Sequence, residues 1–219
     1  MDTEEHTREK MVRDQIQRRG VNDPNVLAAM RTVPRHRFVE KDLRRMAYQD
    51  RPLPIGFDQT ISQPYIVAYM TAQLQLKPDE TVLEIGTGSG YQAAVLSRIV
   101  RQVYTIERIQ ALADIARDIM VQLNYDNVQV IYQDGSLGLK KFAPFDAILI
   151  GAASPALPLP LIDQLKVGGR IILPVGGSNH QILQRIKKLS DGSLETEDLI
   201  PVVFVPLRGF YGWHEDDWM

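Results

Sequence analysis

Three acidic side chains around one glycine-rich run are the residues of this 219-residue chain best placed to do chemistry. The run is Glu84-Ile-Gly-Thr-Gly-Ser-Gly90, with an apolar stretch before it and a helical pattern after it. Glycines at such a turn let the backbone approach a ligand closely, and the helix start supplies N–H groups without partners. A dinucleotide fingerprint requires a third glycine at position 91, which is tyrosine here. Glu84 instead precedes the turn, where a carboxylate suits a cationic amino group. Glu107 closes the next apolar run, and a carboxylate there can accept hydrogen bonds from both hydroxyls of a ribose. Asp134-Gly135 closes the one after, placed to reach the exocyclic amine of an adenine. One acid at a strand end is commonly a cap or a solvated loop residue. Three around one glycine turn describe a ligand with an ammonium group, a ribose and an adenine but no phosphate. S-adenosylmethionine has that composition.

Positioning those acids requires strands, and the chain supplies them from Thr81 onward. Thr81–Ile85, Val103–Ile106, Val128–Tyr132, Ala147–Ile150 and Arg170–Pro174 are short apolar runs, with helical stretches at Tyr91–Ile99, Gln110–Leu123 and Leu157–Leu165 between them. Nearly all-apolar strands separated by helices imply a parallel sheet covered on both faces, which binds ligands outside its carboxyl strand ends. Ile182–Leu189, the turn Ser190-Asp-Gly-Ser193 and Leu199–Leu207 read as an antiparallel hairpin. Before the sheet, Met11, Val12 and Ile16 lie at helical spacing ahead of Gly20, and Asp23-Pro24 opens a helix through Met30. Arg51-Pro-Leu-Pro-Ile-Gly56 reads as a loop, and Pro64 starts a helix running from Tyr65 to Leu76. The expected architecture is a doubly wound α/β domain with a mostly parallel sheet. It divides into a helical N-terminal extension (1–76), a cofactor-binding core with its hairpin (77–207) and a tail (208–219), with no repeat or linker between them.

Composition removes several function classes. With no cysteine there is neither thiolate catalysis nor Cys-ligated zinc, and the four histidines, at 6, 36, 180 and 214, show no ligand spacing, so no metal is expected. Twenty-five Lys and Arg against 27 Asp and Glu leave a net charge of −2, with no general pull toward nucleic acid. The charged opening MDTEEHTREK lacks a secretory apolar region, and the uncharged run 147–162 is broken by Pro155, Pro158 and Pro160. A cytoplasmic protein without a membrane span is the expectation. No nucleophile elbow and no phosphate-binding Gly-Lys-Ser/Thr loop occur. The Arg31–Arg51 stretch is rich in arginine, which fits a solvated face or an attraction for an acidic substrate.

The glycine run resembles the first motif of class I S-adenosylmethionine-dependent methyltransferases. Further segments narrow the resemblance to the protein-L-isoaspartate (D-aspartate) O-methyltransferase family: Val33-Pro-Arg-His-Arg-Phe38, Arg51–Gly56, Gln59-Thr-Ile-Ser-Gln-Pro-Tyr65, Ala143-Pro-Phe-Asp-Ala147, Gln164-Leu-Lys-Val-Gly-Gly-Arg170 and Phe204-Val-Pro-Leu207. It covers residues from about 10 to about 207, and the Thr60–Pro64 segment is its most specific part. The resemblance implies a Rossmann-like methyltransferase fold and a repair enzyme. Such an enzyme methylates the free carboxyl of L-isoaspartyl, and less efficiently D-aspartyl, residues in damaged proteins and peptides, and S-adenosylhomocysteine is its product. The ester then cyclises spontaneously to a succinimide, part of which opens to normal aspartate. Carried over residue by residue, it implies Ser62 as the active-site serine. It implies cofactor contacts from Thr60, Ile61, Ser62, Tyr65, Glu84, Gly86, Thr87, Gly88, Ser89, Gly90, Glu107, Arg108, Asp134 and Gly135. On its own, Ser62 also reads as a cap for the helix starting near Pro64. Asp58 departs from the family pattern, and near an anionic substrate it would repel unless it pairs with Arg51 or Arg208. Competing readings are a class I methyltransferase acting on a small molecule or RNA, a binding module without turnover, and an NAD-dependent oxidoreductase.

Overall fold

The computed structural model describes residues 3–218; Met1, Asp2 and Met219, the outermost residues of the anticipated extension and tail, lie outside them. The apolar runs form strands close to the expected places: β3 (Thr81–Ile85), β4 (Gln102–Glu107), β5 (Val128–Tyr132), β6 (Phe145–Ile150) and β7 (Leu165–Gly176). Helices α4 (Tyr91–Ser97), α5 (Gln110–Gln122) and α6 (Leu159–Asp163) lie between them in sequence. With β8 (Gln181–Lys188) and β9 (Leu194–Pro201), the sheet has seven strands in the order β5-β4-β3-β6-β7-β8-β9, parallel through β7. Side chains alternate between its faces as a pleat dictates. Val82, Ala147 and Leu149 join one hydrophobic cluster, whereas Leu83, Ile148 and Ile150 join another. The first cluster also takes in Met11, Ile16, Phe38, Ile61 and Val67, so the extension and the sheet share a core. Each aliphatic side chain fully buried there contributes about 1.5–3 kcal/mol.

The extension differs from expectation in detail. Helix α1 (Thr3–Met11) runs on through a π turn (Val12–Ile16) and a short 3-10 turn to Gly20, whose φ of 93° ends it. Helix α2 (Pro24–Thr32) opens where Asp23 accepts the N–H groups of Asn25 and Val26 at 2.9 and 3.0 Å. The Arg51–Gly56 stretch is not a loop throughout: β1 (Leu53–Gly56) pairs antiparallel with β2 (Gln59–Ile61). Two prolines hide that strand, yet a two-stranded ribbon needs N–H donors on one side only, and an edge strand tolerates proline. Phe57 and Asp58 close the ribbon with φ of 54° and 55°, the left-handed pair that a two-residue hairpin loop requires. Helix α3 (Pro64–Gln73) stops short of Leu76 because Gln75 turns left-handed at φ 49°. Arg170 on β7 donates to the Leu74 carbonyl at 2.6 Å and pairs with Glu80 at 2.8 Å, tying that helix end to the sheet.

Two boundaries near the C-terminus also need correction. Helix α6 is shorter than Leu157–Leu165 because Leu165 already pairs with Phe145 on β6. The hairpin joins β8 (Gln181–Lys188) to β9 (Leu194–Pro201), so its second arm begins well before Leu199. The Ser190–Ser193 turn sets the register by placing Leu194 opposite Lys188. The LETED sequence of β9 is exposed throughout and shows no alternation to betray a strand. The apolar run after Pro201 leaves the sheet instead and crosses to Ala153, whose N–H donates to the Val205 carbonyl at 2.8 Å.

Candidate active site

The ligand-binding crevice of an open parallel sheet lies where the strand order reverses, here between β3 and β6. Gly86 follows β3 with φ 92°, and a Cβ there would meet the Gly151 backbone at 3.8 Å. Two narrow cavities open at this point. One, of about 70 Å³, is walled by Gly86, Gly88, Glu107, Arg108, Gly135 and the residues after Val205. Glu107 closes β4, and its carboxylate accepts the Gly88 and Ile109 N–H groups, each at 2.9 Å. Two backbone donors thus fix its oxygens toward the cavity while each keeps a lone pair free. The 106–107 strand end and the glycine turn are thereby locked together.

The second cavity, of about 50 Å³, lies over Glu84, with Thr87, Ser89, Ile61, Thr60 and Ser62 on its walls. Glu84 is 1% exposed, and Thr105 donates to its Oε2 at 2.5 Å. Thr105 in turn shares a 2.6 Å hydrogen bond with Thr87. The other oxygen, Oε1, is buried with no partner. Burial pushes the carboxyl up to about 8, against the Thr105 hydrogen bond and with the charge of Glu107 adding to the rise. A buried acid with one oxygen unpaired beside a cavity matches a cationic group, which would restore its charge and satisfy that oxygen. The donor set therefore fits the amino-acid end of S-adenosylmethionine, and the Glu107 side fits its ribose.

The Thr60–Tyr65 segment is held from two sides, by Arg35 and by Asp50. Arg35, in the stretch that fits a solvated face or an attraction for an acidic substrate, is completely buried instead, its guanidinium donating to the Ala47 carbonyl at 2.7 Å and the Ser62 carbonyl at 2.8 Å. It also lies 4.7 Å from the Tyr91 ring centre, and burial lowers its pKa to about 10. Asp50 accepts from the Tyr65 N–H at 3.1 Å and from the Gln63 amide and the Arg19 guanidinium at 2.6 Å each. Asp50, not Ser62, thus satisfies the start of α3, whose N-cap residue is Gln63. The Ser62 hydroxyl has no hydrogen-bond partner among the described residues and faces the cavities.

A third cavity, of about 480 Å³, adjoins the other two and shares Thr60 and Gly151 with both. Sequence reasoning missed Gly151, although its place just beyond β6 at the switch point is a readable signal. It also missed the 201–205 segment and the Asn179–Gln181 turn, which form the cavity's far walls. The Gln181 side chain locks these together, accepting from the Phe204 N–H at 2.7 Å and donating to its carbonyl at 3.1 Å.

Three of the expected contact residues line none of the three cavities. Tyr65 lines none of the cavities; its ring sits beneath Arg19, 3.5 Å from the guanidinium, and beside Tyr69. Gly90 serves packing, since a Cβ there would come within 2.5 Å of Met120 on α5. Asp134 accepts from Ser136 and from the Phe210 N–H at 2.7 Å, so it holds the tail while Gly135 lines the cavity. Asp58 is exposed at the hairpin tip, lines none of the three cavities and pairs with neither Arg51 nor Arg208. Among the described residues no helix is long and apolar enough to cross a membrane, and no group of three His, Asp or Glu could hold a metal ion.

An acidic crevice at the switch point of a mostly parallel sheet is what an S-adenosylmethionine-dependent methyltransferase requires. The chain is 53% identical over 211 residues to protein-L-isoaspartate O-methyltransferase 2 of Pelobacter propionicus, covering 96% of this chain and 94% of that one. It is 55% identical to the protein-L-isoaspartate O-methyltransferase of Desulfotalea psychrophila, covering 94% and 96%. A Plasmodium falciparum structure described under the same name, in complex with S-adenosyl-L-homocysteine, superposes with a TM-score of 0.81 at 26% identity, covering 92% and 98%. The family model for protein-L-isoaspartate(D-aspartate) O-methyltransferase matches residues 6–211, and the chain belongs to that family.

Proposed function

We propose that this chain transfers a methyl group from S-adenosylmethionine to the free carboxyl of L-isoaspartyl and D-aspartyl residues in damaged proteins and peptides. We extend the reading to a cytoplasmic site of action, as one methyltransferase domain needing no metal, nucleic acid or membrane. The observation that carries it is a junction. Thr60, Ser62, Gly151 and Phe204 line both the slot over Glu84 and the large cavity, so a cofactor and a peptide meet there.

When bound, the cofactor supplies a methyl group already activated on a sulfonium. In this reading Glu84 would take its amino group, the Gly86–Ser89 turn would lie along it, Glu107 would take the ribose hydroxyls, and Arg108 and Gly135 would flank the base. A carboxylate is ionised at neutral pH, so no side chain has to remove a proton from the nucleophile. The work left to the protein is to hold the carboxylate in line and exclude water. Ser62, with a free hydroxyl at the junction, donates to the carboxylate, and Arg35 fixes the backbone that carries it. Ile61 and Phe204 supply the apolar walls.

The test is methyl transfer from labelled S-adenosylmethionine to paired peptides that differ only in an isoaspartyl or an aspartyl residue. Incorporation confined to the isoaspartyl peptide is expected. Equal incorporation into both, or none, would overturn the reading.

A further inference from the structure

The large cavity has two chemically different ends. Its inner end is the junction at Thr60, Ser62, Gly151 and Phe204. Asn179, His180, Pro201, Val202 and Val203 line it without bordering the cofactor slots; Asn179, His180, Pro201 and Val203 are exposed, as are Pro52 and Thr60 on the ribbon side, so the cavity opens between these two rims. With its damaged carboxyl at Ser62, a peptide can leave over the rim that lies away from the cofactor slots, the one that carries His180. The residues flanking the damaged one therefore pass His180.

The walls that face this histidine carry no charge. The hairpin and the start of α3 contribute Pro52, Thr60, Ser62, Gln63 and Ile66, β6 is followed by Gly151, and the crossing segment contributes only Pro201–Val205. His180 is the one titratable side chain among the described lining residues. It is also held in place. Gly176 has φ 131°, and a Cβ there would lie 2.1 Å from the His180 carbonyl oxygen, so only glycine allows this tight turn. On its other side Gln181 is buried and locked to Phe204. An imidazole carried on a backbone fixed in this way, at the rim of an otherwise uncharged cavity, is placed to sense substrate charge, and histidine is the side chain that changes its own charge between pH 5 and 8.

We propose that His180 is a specificity-determining residue that reads the charge of the residues flanking the damaged one, favouring an acidic neighbour when its imidazole is protonated. This rests on the reading that the chain methylates isoaspartyl carboxyls. The reacting carboxylate itself meets neutral donors at the inner end, so the preference concerns the neighbour and not the reaction.

The experiment uses three isoaspartyl peptides that differ only in Glu, Gln or Lys beside the damaged residue, with kcat/KM measured at pH 6 and pH 8. For the wild type at pH 6 the Glu peptide should exceed the Gln peptide by about two- to fivefold, the range of a solvent-exposed ion pair, with the Lys peptide below both. The ratio should approach one at pH 8 and shrink with added salt. His180→Asn should show a ratio near one at both pH values, and His180→Lys should keep the preference at both. A Glu-to-Gln ratio that is unchanged in His180→Asn, or that is independent of pH in the wild type, would overturn the proposal. Transfer to the Gln peptide separates the two readings: its absence in the wild type defeats the assigned reaction, whereas transfer without a charge preference defeats only the role of His180.

Discussion

On the proposed assignment, the two halves of the site recognise their ligands by opposite means. The cofactor side is narrow, with cavities of about 70 and 50 Å³, and it is acidic: Glu84 and Glu107 are 1% and 6% exposed and braced by Thr105, Gly88 and Ile109. The substrate side is wide, at about 480 Å³, and its walls are uncharged apart from His180. A ligand that never varies can be met by fixed charges deep in the protein, where each is strengthened by low dielectric. A carboxylate embedded in many different peptide sequences is better met by a neutral donor and room for its neighbours.

The largest expected effect breaks the acidic half. In Glu84→Gln the cofactor's ammonium would lose its buried counter-charge, which should weaken binding by about 3–5 kcal/mol. The raised pKa adds a second signature. With Glu84 at about 8 in the free protein and 4.5 as the ordinary value, the folded state keeps a proton that the unfolded state releases. Stability of the free wild type should therefore fall as pH rises from about 4.5 to about 8 and level off above, while Glu84→Gln lacks that fall. The cofactor needs the ionised acid, so its binding near pH 7 should release about one proton. Calorimetry in buffers of different ionisation heat measures that release, and thermal melts across pH measure the fall. Cofactor binding by Glu84→Gln at wild-type affinity would detach the buried acid from recognition.

A smaller effect sharpens the neutral half. Since Asp50 satisfies the start of α3, Ser62→Ala removes no cap and should leave the melting temperature and cofactor affinity nearly unchanged. Methyl transfer should drop by about tenfold to a hundredfold, the value of one hydrogen bond to a charged group at 1.5–3 kcal/mol. Ser62→Asp should stay folded and lose most of its turnover, because its carboxylate repels that of the substrate. Near-normal transfer by a folded Ser62→Asp would remove Ser62 from the reaction. Single-turnover transfer on the three proteins decides it.

The acidic half was also the half legible in the sequence, and for a physical reason. Glu84, the glycine turn and Glu107 sit at the ends of apolar runs, and a parallel sheet places such ends side by side whatever the rest of the chain does. Strand ends at Ile85 and Tyr132 were readable to the residue for the same reason. What could not be read is set by contacts distant along the chain. Arg35 reaches the Ser62 carbonyl across 27 residues, and Asp134 meets the Phe210 N–H across 76. A buried arginine with carbonyl partners looks, in sequence, like any arginine in a basic stretch. Proline at 52 and 54 masked β1, and the polar strand β9 carried no periodic signal, so the wall of the large cavity after Pro201 was mistaken for a hairpin arm.

The smallest expected effect concerns Asp58, an acid at the tip of the ribbon beside the site. If the neutral half rejects charge, an acid in it would raise KM. Yet Asp58 is exposed at the tip of the β1–β2 ribbon and lines none of the three cavities. Asp58→Gly should therefore leave the peptide KM unchanged at every ionic strength. The change should act on the turn instead. Asp58 holds a φ of 55°, a conformation that glycine adopts without the steric cost borne by other residues. Glycine also gains more freedom in the unfolded chain, so the two effects oppose each other, and a stability change within about 1 kcal/mol of zero is expected. A KM that falls in Asp58→Gly at low salt and recovers toward wild type at high salt would show that the carboxylate reaches the substrate from the rim. The cavity would then carry a negative charge that its lining lacks, and the contrast between the two halves of the site would narrow.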